Sequence, residues 1–222
     1  MKYLKMLGLA AVAAMGLMAF FGASSASATV LCKQTDTPSC AVANKYGVGT
    51  VIHASLKSGT SAKLWADPKG ENPLVTCTES TVRGTIANAG GSESTVSGPL
   101  TTTLNPEGKH TGLTWGGCTS TTDTLTTGSS IGELEIHHIA GTHDGTVTSK
   151  NSDVTVSIFG VSCTYGSGNG LDLGILKGGT KQVLSINATI SKVAGSFLCP
   201  EKTIWEAEYT VTEPHEIYVT AS

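Results

Sequence analysis

The six cysteines constrain the fold of this chain more than any other feature. All of them follow residue 28, and they are Cys32, Cys40, Cys77, Cys118, Cys163 and Cys199. An even number of cysteines in an exported chain indicates disulfides formed in an oxidising compartment. No Cys-x-x-Cys pair occurs, and the spacings are not those of a zinc ribbon or finger. The simplest connectivity joins sequence neighbours, which gives the pairs Cys32–Cys40, Cys77–Cys118 and Cys163–Cys199.

The first 28 residues have the three parts of a secretory signal peptide in the usual order. Lys2 and Lys5 give a positive start, residues 7–22 carry no charge, and the Ala-Ser-Ala of residues 26–28 offers small side chains for cleavage. The uncharged run is shorter than the roughly 20 residues of a membrane-spanning helix, which disfavours an uncleaved anchor. We therefore expect cleavage after Ala28. The mature chain is then secreted, or associated with the cell surface, and does not span the membrane.

The charge balance argues against nucleic acid as a partner. The chain has 14 Lys and Arg residues against 17 Asp and Glu residues, a net charge of −3. Removal of Lys2 and Lys5 with the signal peptide leaves 12 basic residues against 17 acidic ones, and no basic cluster remains. Nucleic-acid binding depends on clustered Lys and Arg that displace counterions from phosphate. We expect an extracellular or cell-surface polymer, or another surface, as the partner instead.

Strand-like patterns follow one another from residue 49 to the end of the chain. Residues 182–192 alternate Leu, Ile and Ala with Ser, Asn and Thr, and residues 203–212 alternate between an aromatic-rich face and a face with two glutamates. Such alternation is typical of strands with one buried face. Glycine-rich segments, among them residues 88–91 and 166–170, are predicted to be turns. The sequence predicts an all-β fold, an antiparallel β-sandwich or open barrel of roughly 10–13 strands held by disulfides.

The same patterns divide the chain into three parts. Residues 1–28 are the predicted signal peptide, and residues 29–48 are a predicted N-terminal segment with a small disulfide loop. Residues 49–222 are predicted to form a single β-sandwich-like domain, because strand patterns recur there without a long linker.

The densest group of titratable residues lies between residues 133 and 144. Carboxylates and imidazoles are metal ligands. His137 and His138 are adjacent, so in a regular strand they point to opposite faces and cannot share one ion. Only Glu135, His137 and His143 could converge, and they are the candidate metal ligands. The alternative is a solvated strand face.

Tryptophans are the candidates for a sugar-binding surface, because aromatic rings provide stacking platforms with a polar edge. Trp65 precedes an Ala-Asp-Pro turn and is expected to be exposed, and Trp115 is the second candidate. Trp205 alternates with Ala207 and Tyr209, so we expect it in the core.

No arrangement of residues predicts catalysis. Residues 128–132 have the Gly-x-Ser-x-Gly spacing of a nucleophile elbow, but that motif needs a following helix, and no helical periodicity follows. Glycosidases need two carboxylates across a cleft. Glu133 with Glu135, and Glu206 with Glu208, are instead neighbours on one face of single strands. We predict no catalytic residues, no cofactor and no enzymatic activity.

Several segments resemble known proteins. Four of them are similar to secreted all-β proteins of unknown role that are multiplied in some soil actinobacteria: Leu134-Glu-Ile-His-His-Ile-Ala-Gly-Thr142, Val154-Thr-Val-Ser-Ile-Phe-Gly-Val-Ser-Cys163, Gly195-Ser-Phe-Leu-Cys-Pro200 and Glu208-Tyr-Thr-Val-Thr-Glu-Pro214. A weaker resemblance, through Cys77-Thr78 and Phe159-Gly-Val-Ser-Cys163, is to the small secreted alkane-oxidation activators. That second resemblance implies an extracellular, surface-active protein rather than a catalyst, and neither resemblance assigns a functional residue.

The leading hypothesis is a secreted or cell-surface protein without enzymatic activity that binds a surface, a polymer or a partner. Export, disulfides and low charge all favour it. One alternative is a protein similar to a carbohydrate-binding module, which depends on Trp65 and Trp115. The other is a secreted hydrolase or metalloprotein, which depends on Glu135, His137 and His143.

Overall fold

The computed structural model describes residues 28–35, 39–91, 94–100, 112–118, 125–158 and 160–222. The predicted signal peptide, apart from Ala28, lies outside these residues. Within them the chain is all-β, as predicted, and its one helical element is the short 3₁₀ turn Val42–Asn44. No helix in the described ranges is long and apolar enough to cross a membrane.

The described residues form fourteen strands, numbered here in chain order. The first seven are β1 (Thr29–Cys32), β2 (Val51–Leu56), β3 (Ala62–Ala66), β4 (Val75–Thr85), β5 (Asn88–Gly91), β6 (Ser94–Pro99) and β7 (Leu113–Cys118). The others are β8 (Leu125–His138), β9 (Gly145–Ile158), β10 (Val161–Gly166), β11 (Leu171–Lys177), β12 (Val183–Gly195), β13 (Lys202–Glu213) and β14 (Tyr218–Ala221).

β12 illustrates why the sequence forms strands. The side chains at every second position from Leu184 to Ile190 are buried, whereas Asn187 and Thr189 between them are exposed. Successive side chains of a strand point to opposite faces, so this alternation places one apolar face on the core and one polar face in water. The alternation predicted for this segment is confirmed.

Twelve strands form one antiparallel sheet. Its order is β2-β4-β3-β13-β12-β10-β9-β8-β6-β5, with β7 paired to β4, and β11 paired to both β9 and β12. β1 and β14 form a separate two-stranded sheet in which Thr29 lies opposite Ala221.

Two positions in the large sheet are each filled by two short strands in succession. β2 and β3 both lie between β4 and β13, and the turn between them is closed by a hydrogen bond from Thr60 N to Lys57 O at 3.0 Å. β10 and β11 likewise both lie between β9 and β12. Each pair therefore acts as one strand with a break in its middle.

The large sheet curves so that its two halves share one apolar core. The main cluster joins Ala54 of β2 and Val82 of β4 to Val96 of β6 and Ile136 of β8. A second cluster of buried residues surrounds Tyr165 of β10. Packing of both halves against each other gives the sandwich-like, partly closed architecture that the strand pattern predicts.

The backbones of β6 and β4 lie very close together where β6 passes the end of β4. A β carbon placed on Gly98 would lie 1.9 Å from the carbonyl oxygen of Thr85. Only glycine allows two backbones to approach so closely. This contact brings β4, at one side of the large sheet, against β6, near the other.

The three disulfides join sequence neighbours, so the predicted pairing is confirmed. Cys77 and Cys118 are register partners on β4 and β7. Cys163 of β10 is joined to Cys199, which follows β12. The third bond is Cys32–Cys40. No cysteine among the described residues is free.

The N-terminal segment is docked onto the rest of the protein. Val30 packs with Cys32 and Cys40 in a small cluster, whereas Leu31, on the opposite face of β1, belongs to the main core. Tyr46 Oη donates a hydrogen bond to the carbonyl oxygen of Glu216 at 2.7 Å. Residues 29–32 and Tyr46 thus pack against the C-terminal part of the chain.

Candidate functional site

Glu135 and His137, two of the candidate metal ligands, lie next to each other on the outward face of β8. Glu135 Oε1 accepts a hydrogen bond from Lys150 Nζ at 2.5 Å, and Glu135 Oε2 lies 3.7 Å from His137 Nε2. Lys150 comes from the neighbouring strand β9. The carboxylate therefore neutralises an ammonium group across the sheet, the usual arrangement of a cross-strand ion pair.

His143, the third candidate ligand, faces a different part of the protein. Its ring lies edge-on to the ring of Tyr218 on β14, with 5.6 Å between the centroids. Across the described residues, no group of three or more His, Cys, Asp or Glu side chains is arranged so that it could hold a metal ion. The structure does not bring His143 together with Glu135 and His137.

Asp144, beside His143, also has a structural role. Its Oδ2 lies 3.1 Å from Lys177 Nζ, and its Oδ1 accepts a hydrogen bond from the Gly178 backbone at 3.0 Å. Residues 128–132, which have the nucleophile-elbow spacing, lie inside β8, where the register with β9 shifts, and not before a helix.

Trp115 faces the interior and forms an aromatic chain with residues of β13. Its ring centroid is 6.5 Å from that of Trp205 at an interplanar angle of 61°, and Trp205 is 6.4 Å from Tyr209 at 83°. Both tryptophans pack against the two core clusters. Edge-to-face contacts of this kind stabilise a core, and Trp115 is half-buried in this packing.

Trp65 lies on the outer face of β3 and is half-buried. Lys69 Nζ sits 4.2 Å from the ring centroid, and Lys63 Nζ sits 5.8 Å from it. Lys69 also forms an ion pair with Glu206 Oε1 at 2.5 Å. A sugar stacking on Trp65 would have to displace an ammonium group held by both the ring and a carboxylate.

The most prominent apolar surface is the tip of the hairpin that joins β12 to β13. Phe197 is 91% exposed, Leu198 is 64% exposed and Val193 is 57% exposed. These are three of the six large apolar side chains that are exposed among the described residues. Single exposed apolar side chains are common, but several on one tip indicate an interaction site. We call residues 193–198 the hairpin tip.

The hairpin tip is held in one conformation by covalent and hydrogen bonds. The Cys163–Cys199 disulfide ties it to β10. Ser196 Oγ accepts a hydrogen bond from Leu198 N at 3.1 Å, and the Ser196 carbonyl accepts one from Cys199 N at 3.1 Å. Gly195 has φ +126°, and a β carbon there would lie 2.7 Å from Cys199 Sγ. The apolar side chains of Phe197 and Leu198 are thus exposed by the geometry of a fixed turn.

The sequence patterns did not single out the hairpin tip as a site. Turn residues are usually polar or small, and the segment between Gly195 and Pro200 departs from that rule with Phe197 and Leu198. The sequence feature that could have predicted the site is the pair of adjacent large apolar residues in a turn beside a cysteine. Strand alternation predicts only the strands on either side of the tip.

A concave surface lies at the other end of β12. It is an open groove of about 460 Å³ whose lining includes Lys57, Lys181, Thr212 and His215. Gln182 also lines it and is almost fully buried, and its side-chain Nε2 has no hydrogen-bond partner within the described residues. A buried amide without a partner is uncommon in folded proteins.

Comparison of the chain with protein-family models, with curated protein sequences and with solved structures finds no match.

Proposed function

We propose that this chain is a protein without enzymatic activity, secreted or associated with the cell surface, that adheres to an uncharged lipid surface through its hairpin tip. The observation that carries the proposal is the exposure of Phe197 and Leu198 on a turn held by a disulfide, with Val193 exposed near the end of β12 beside it. The predicted signal peptide and the three disulfides support export.

The shape of the hairpin tip favours a lipid surface over a protein partner. A stable protein interface buries about 800 Å² on each side. The three apolar side chains of the hairpin tip offer roughly 400–500 Å² at most, since even a large aromatic side chain buries only about 150–250 Å². A protruding apolar tip needs no matching pocket when it enters a fluid hydrocarbon phase.

The charges around the hairpin tip favour an uncharged lipid. Between residues 192 and 202 the charged residues are Lys192, Glu201 and Lys202, and Lys192 forms an ion pair with Glu201. Recognition of anionic lipids depends on clusters of four to eight basic residues, each worth about 1 kcal/mol near the surface. Neither the tip nor the chain, with its net charge of −3, provides such attraction.

The expected affinity of the hairpin tip for a lipid surface is that of reversible adsorption. Full burial of one Val, Leu or Phe side chain contributes about 1.5–3 kcal/mol, so three contribute roughly 4–6 kcal/mol when each is partly inserted. A single myristoyl chain binds membranes with a similarly marginal affinity of about 10⁴ M⁻¹.

The test is co-sedimentation of the purified protein with phosphatidylcholine vesicles. We expect the protein to bind, and a Phe197→Ser, Leu198→Ser variant to lose at least ten-fold in affinity, since about 1.4 kcal/mol corresponds to ten-fold. Val42→Ser is the matched control, because Val42 is 85% exposed but lies far along the chain from the tip.

Two results with phosphatidylcholine vesicles would overturn the proposal. One is that the protein does not bind phosphatidylcholine vesicles at concentrations that bind a lipopeptide with a single acyl chain. The other is binding that is equally strong in the double variant and in the control. Binding that requires anionic lipid, or a purified polysaccharide instead of vesicles, would also contradict it.

A second candidate function is polysaccharide binding, and the groove around Gln182 favours it. The Gln182 amide nitrogen has no hydrogen-bond partner within the described residues, and a sugar hydroxyl or ring oxygen that reached it would supply one. Polysaccharide binding would be supported by glycan-array signals that disappear in Lys181→Ala, a variant in the groove. The signals should persist in Lys63→Ala, which changes a lysine beside Trp65 instead. Absence of binding to any glycan would remove it.

Enzymatic activity is disfavoured by the partners of the acidic side chains near residues 133–144. Glu135 is paired with Lys150, and Asp144 with Lys177. Metal analysis of the purified protein is the direct test of the metalloprotein alternative. Stoichiometric zinc would contradict our proposal.

A further inference from the structure

The start of β1 is buried as completely as the middle of the core. Thr29 is 0% exposed, although it is the first residue of the strand. Its Oγ1 accepts a hydrogen bond from His138 N on β8 at 2.9 Å. The residue before it, Ala28, is half-buried, and its carbonyl oxygen accepts a hydrogen bond from Ser222 N at 2.9 Å. Both residues therefore belong to the folded structure.

The backbone nitrogen of Thr29 points into the protein. In a β-ladder the N–H and C=O groups of one residue point to the same side of the strand, and those of the next residue point to the other side. The Ala28 carbonyl faces Ser222, so the N–H and C=O groups of Thr29 face away from β14. On that side, a β carbon placed on Gly90 would lie 1.7 Å from the Thr29 carbonyl oxygen. The backbone of β5 therefore packs directly on this side of Thr29.

On the described strands that pack against β1, no carboxylate faces Thr29. These strands are β5, β6, β8 and β14, and β5, β6 and β14 have no acidic residue. The two glutamates of β8, Glu133 and Glu135, lie on the face opposite His138, because successive side chains of a strand alternate. Glu93, between β5 and β6, lies outside the described residues.

We infer that the mature chain retains Ala28 and that signal peptidase cuts the bond between Ala26 and Ser27. The inference rests on export, which is part of the proposed function, and does not depend on lipid binding. Hydrolysis adds water to that bond: Ala26 leaves with the signal peptide as a carboxylate, and Ser27 N becomes the α-ammonium group. The bond itself lies outside the described residues.

Cleavage after Ala28, which the sequence pattern predicts, would instead create the α-ammonium group on Thr29 N. An ionised group placed among backbone atoms and away from water is strongly destabilising. The same cut would also remove the carbonyl group that accepts the hydrogen bond from Ser222 N. Cleavage two residues earlier moves the charge away from the buried strand and keeps this hydrogen bond.

The sequence offers a suitable cleavage site at Ala26. Signal peptidases need small side chains at the last residue of the signal peptide and two residues before it. Ala28 with Ala26 meets this requirement, and so does Ala26 with Ser24. The small residues alone are compatible with both bonds, and the burial of Thr29 favours the earlier one.

The direct test is the intact mass and the N-terminal sequence of the protein exported from a bacterial host with its own first 28 residues. We expect Ser27 to be the first residue. Ala28→Gln blocks only the later site, so pulse labelling should show processing at the parent rate. Ser24→Gln blocks only the earlier site and should slow processing at least ten-fold. Both rates are independent of how the variants fold, because the signal peptide is removed during export.

A second test measures the stability of two chains with their disulfides formed, one starting at Ser27 and one starting at Thr29. At pH 6 the chain from Thr29 should have a urea midpoint lower by about 1 M or more, because its ammonium group is buried on folding. The difference should narrow by pH 9, since an α-amino group in an unfolded chain loses its proton at about pH 7.7–8.0.

A mature chain that starts at Thr29, or an Ala28→Gln variant that is not processed, would overturn the inference and leave the proposed export intact. Equal urea midpoints at pH 6 would also overturn it, because the buried charge would then have no cost. If the chain instead accumulates in the cytoplasm without being processed, the proposed export fails, and the inference fails with it.

Discussion

The hydroxyl of Tyr209 on β13 donates a hydrogen bond to Ser80 Oγ on β4 at 2.8 Å, in the middle of the core. Ser80 Oγ uses its own proton for the carbonyl oxygen of Thr114 on β7, also at 2.8 Å. The serine thus accepts from one strand and donates to another. Three strands that are distant in sequence are joined through one small buried side chain.

Replacing Ser80 with Ala should lower the free energy of unfolding by about 1–3 kcal/mol, because the Tyr209 hydroxyl is left without an acceptor. In a Tyr209→Phe background, Ser80→Ala should lower the free energy of unfolding by clearly less, because no tyrosine hydroxyl is left there without an acceptor. Urea denaturation of the four proteins of this cycle gives the coupling energy. Strictly additive losses would contradict the role of the hydrogen bond.

Gly98→Ala should be severely destabilising, with a loss of about 3 kcal/mol or failure to fold, because its methyl group would overlap the Thr85 carbonyl. Gly47→Ala is the matched control. Gly47 has no atom within 4 Å of the corresponding position, so its replacement should change stability by less than about 0.5 kcal/mol. Thermal unfolding of both variants makes the comparison. Equal melting temperatures would show that β4 and β6 do not meet at this point.

The disulfides should differ in their contribution to stability according to the loops they close. Cys163 and Cys199 are 36 residues apart, and Cys32 and Cys40 are 8 apart. In the chain-entropy model the 36-residue loop corresponds to a stabilisation of about 4 kcal/mol and the 8-residue loop to about 2.5 kcal/mol. Replacing the first pair by Ser should therefore lower the urea midpoint more than replacing the second. The reverse order would indicate that native-state packing around Cys32 outweighs chain entropy.

Stability should fall as pH rises above about 10. Burial raises the pKa of Tyr165 from 10.0 to about 12 and also raises the pKa of Tyr209. In this range the unfolded chain releases protons that the folded chain retains. Each such tyrosine therefore lowers the free energy of unfolding by up to about 1.4 kcal/mol per pH unit. Denaturation from pH 8 to 12 should show this decrease, with a shallower slope in Tyr165→Phe. An identical slope in that variant would contradict the prediction.

The parts of the fold that depend on local pattern were predictable from sequence. The alternation in β12 identifies its buried face, and the disulfides join the cysteines that are nearest in sequence. The prediction of a turn at residues 88–91 was wrong. Asn88–Gly91 forms strand β5, which pairs with β6 through backbone hydrogen bonds and has no side-chain pattern to reveal it.

The surroundings of the candidate site residues were less predictable, because they depend on contacts between distant segments. Trp115 lies in a Thr-Trp-Gly-Gly sequence without alternation, and its burial follows from packing against Trp205, ninety residues later. Trp65 was expected to be exposed beside a turn, but it is half-buried on β3 beneath Lys69. The alternation of side chains identifies the two faces of a strand, but not which side chains from distant segments pack on them.

The break between β2 and β3 has a practical consequence for engineering. The turn from Lys57 to Thr60 interrupts a strand position whose two halves are each paired independently with β4 and β13. Gly59 lies in this turn, and a β carbon added there would have no atom within 4 Å. A peptide tag or a fluorescent reporter inserted there should leave the register of both neighbouring strands unchanged, and would label the protein without touching its hairpin tip.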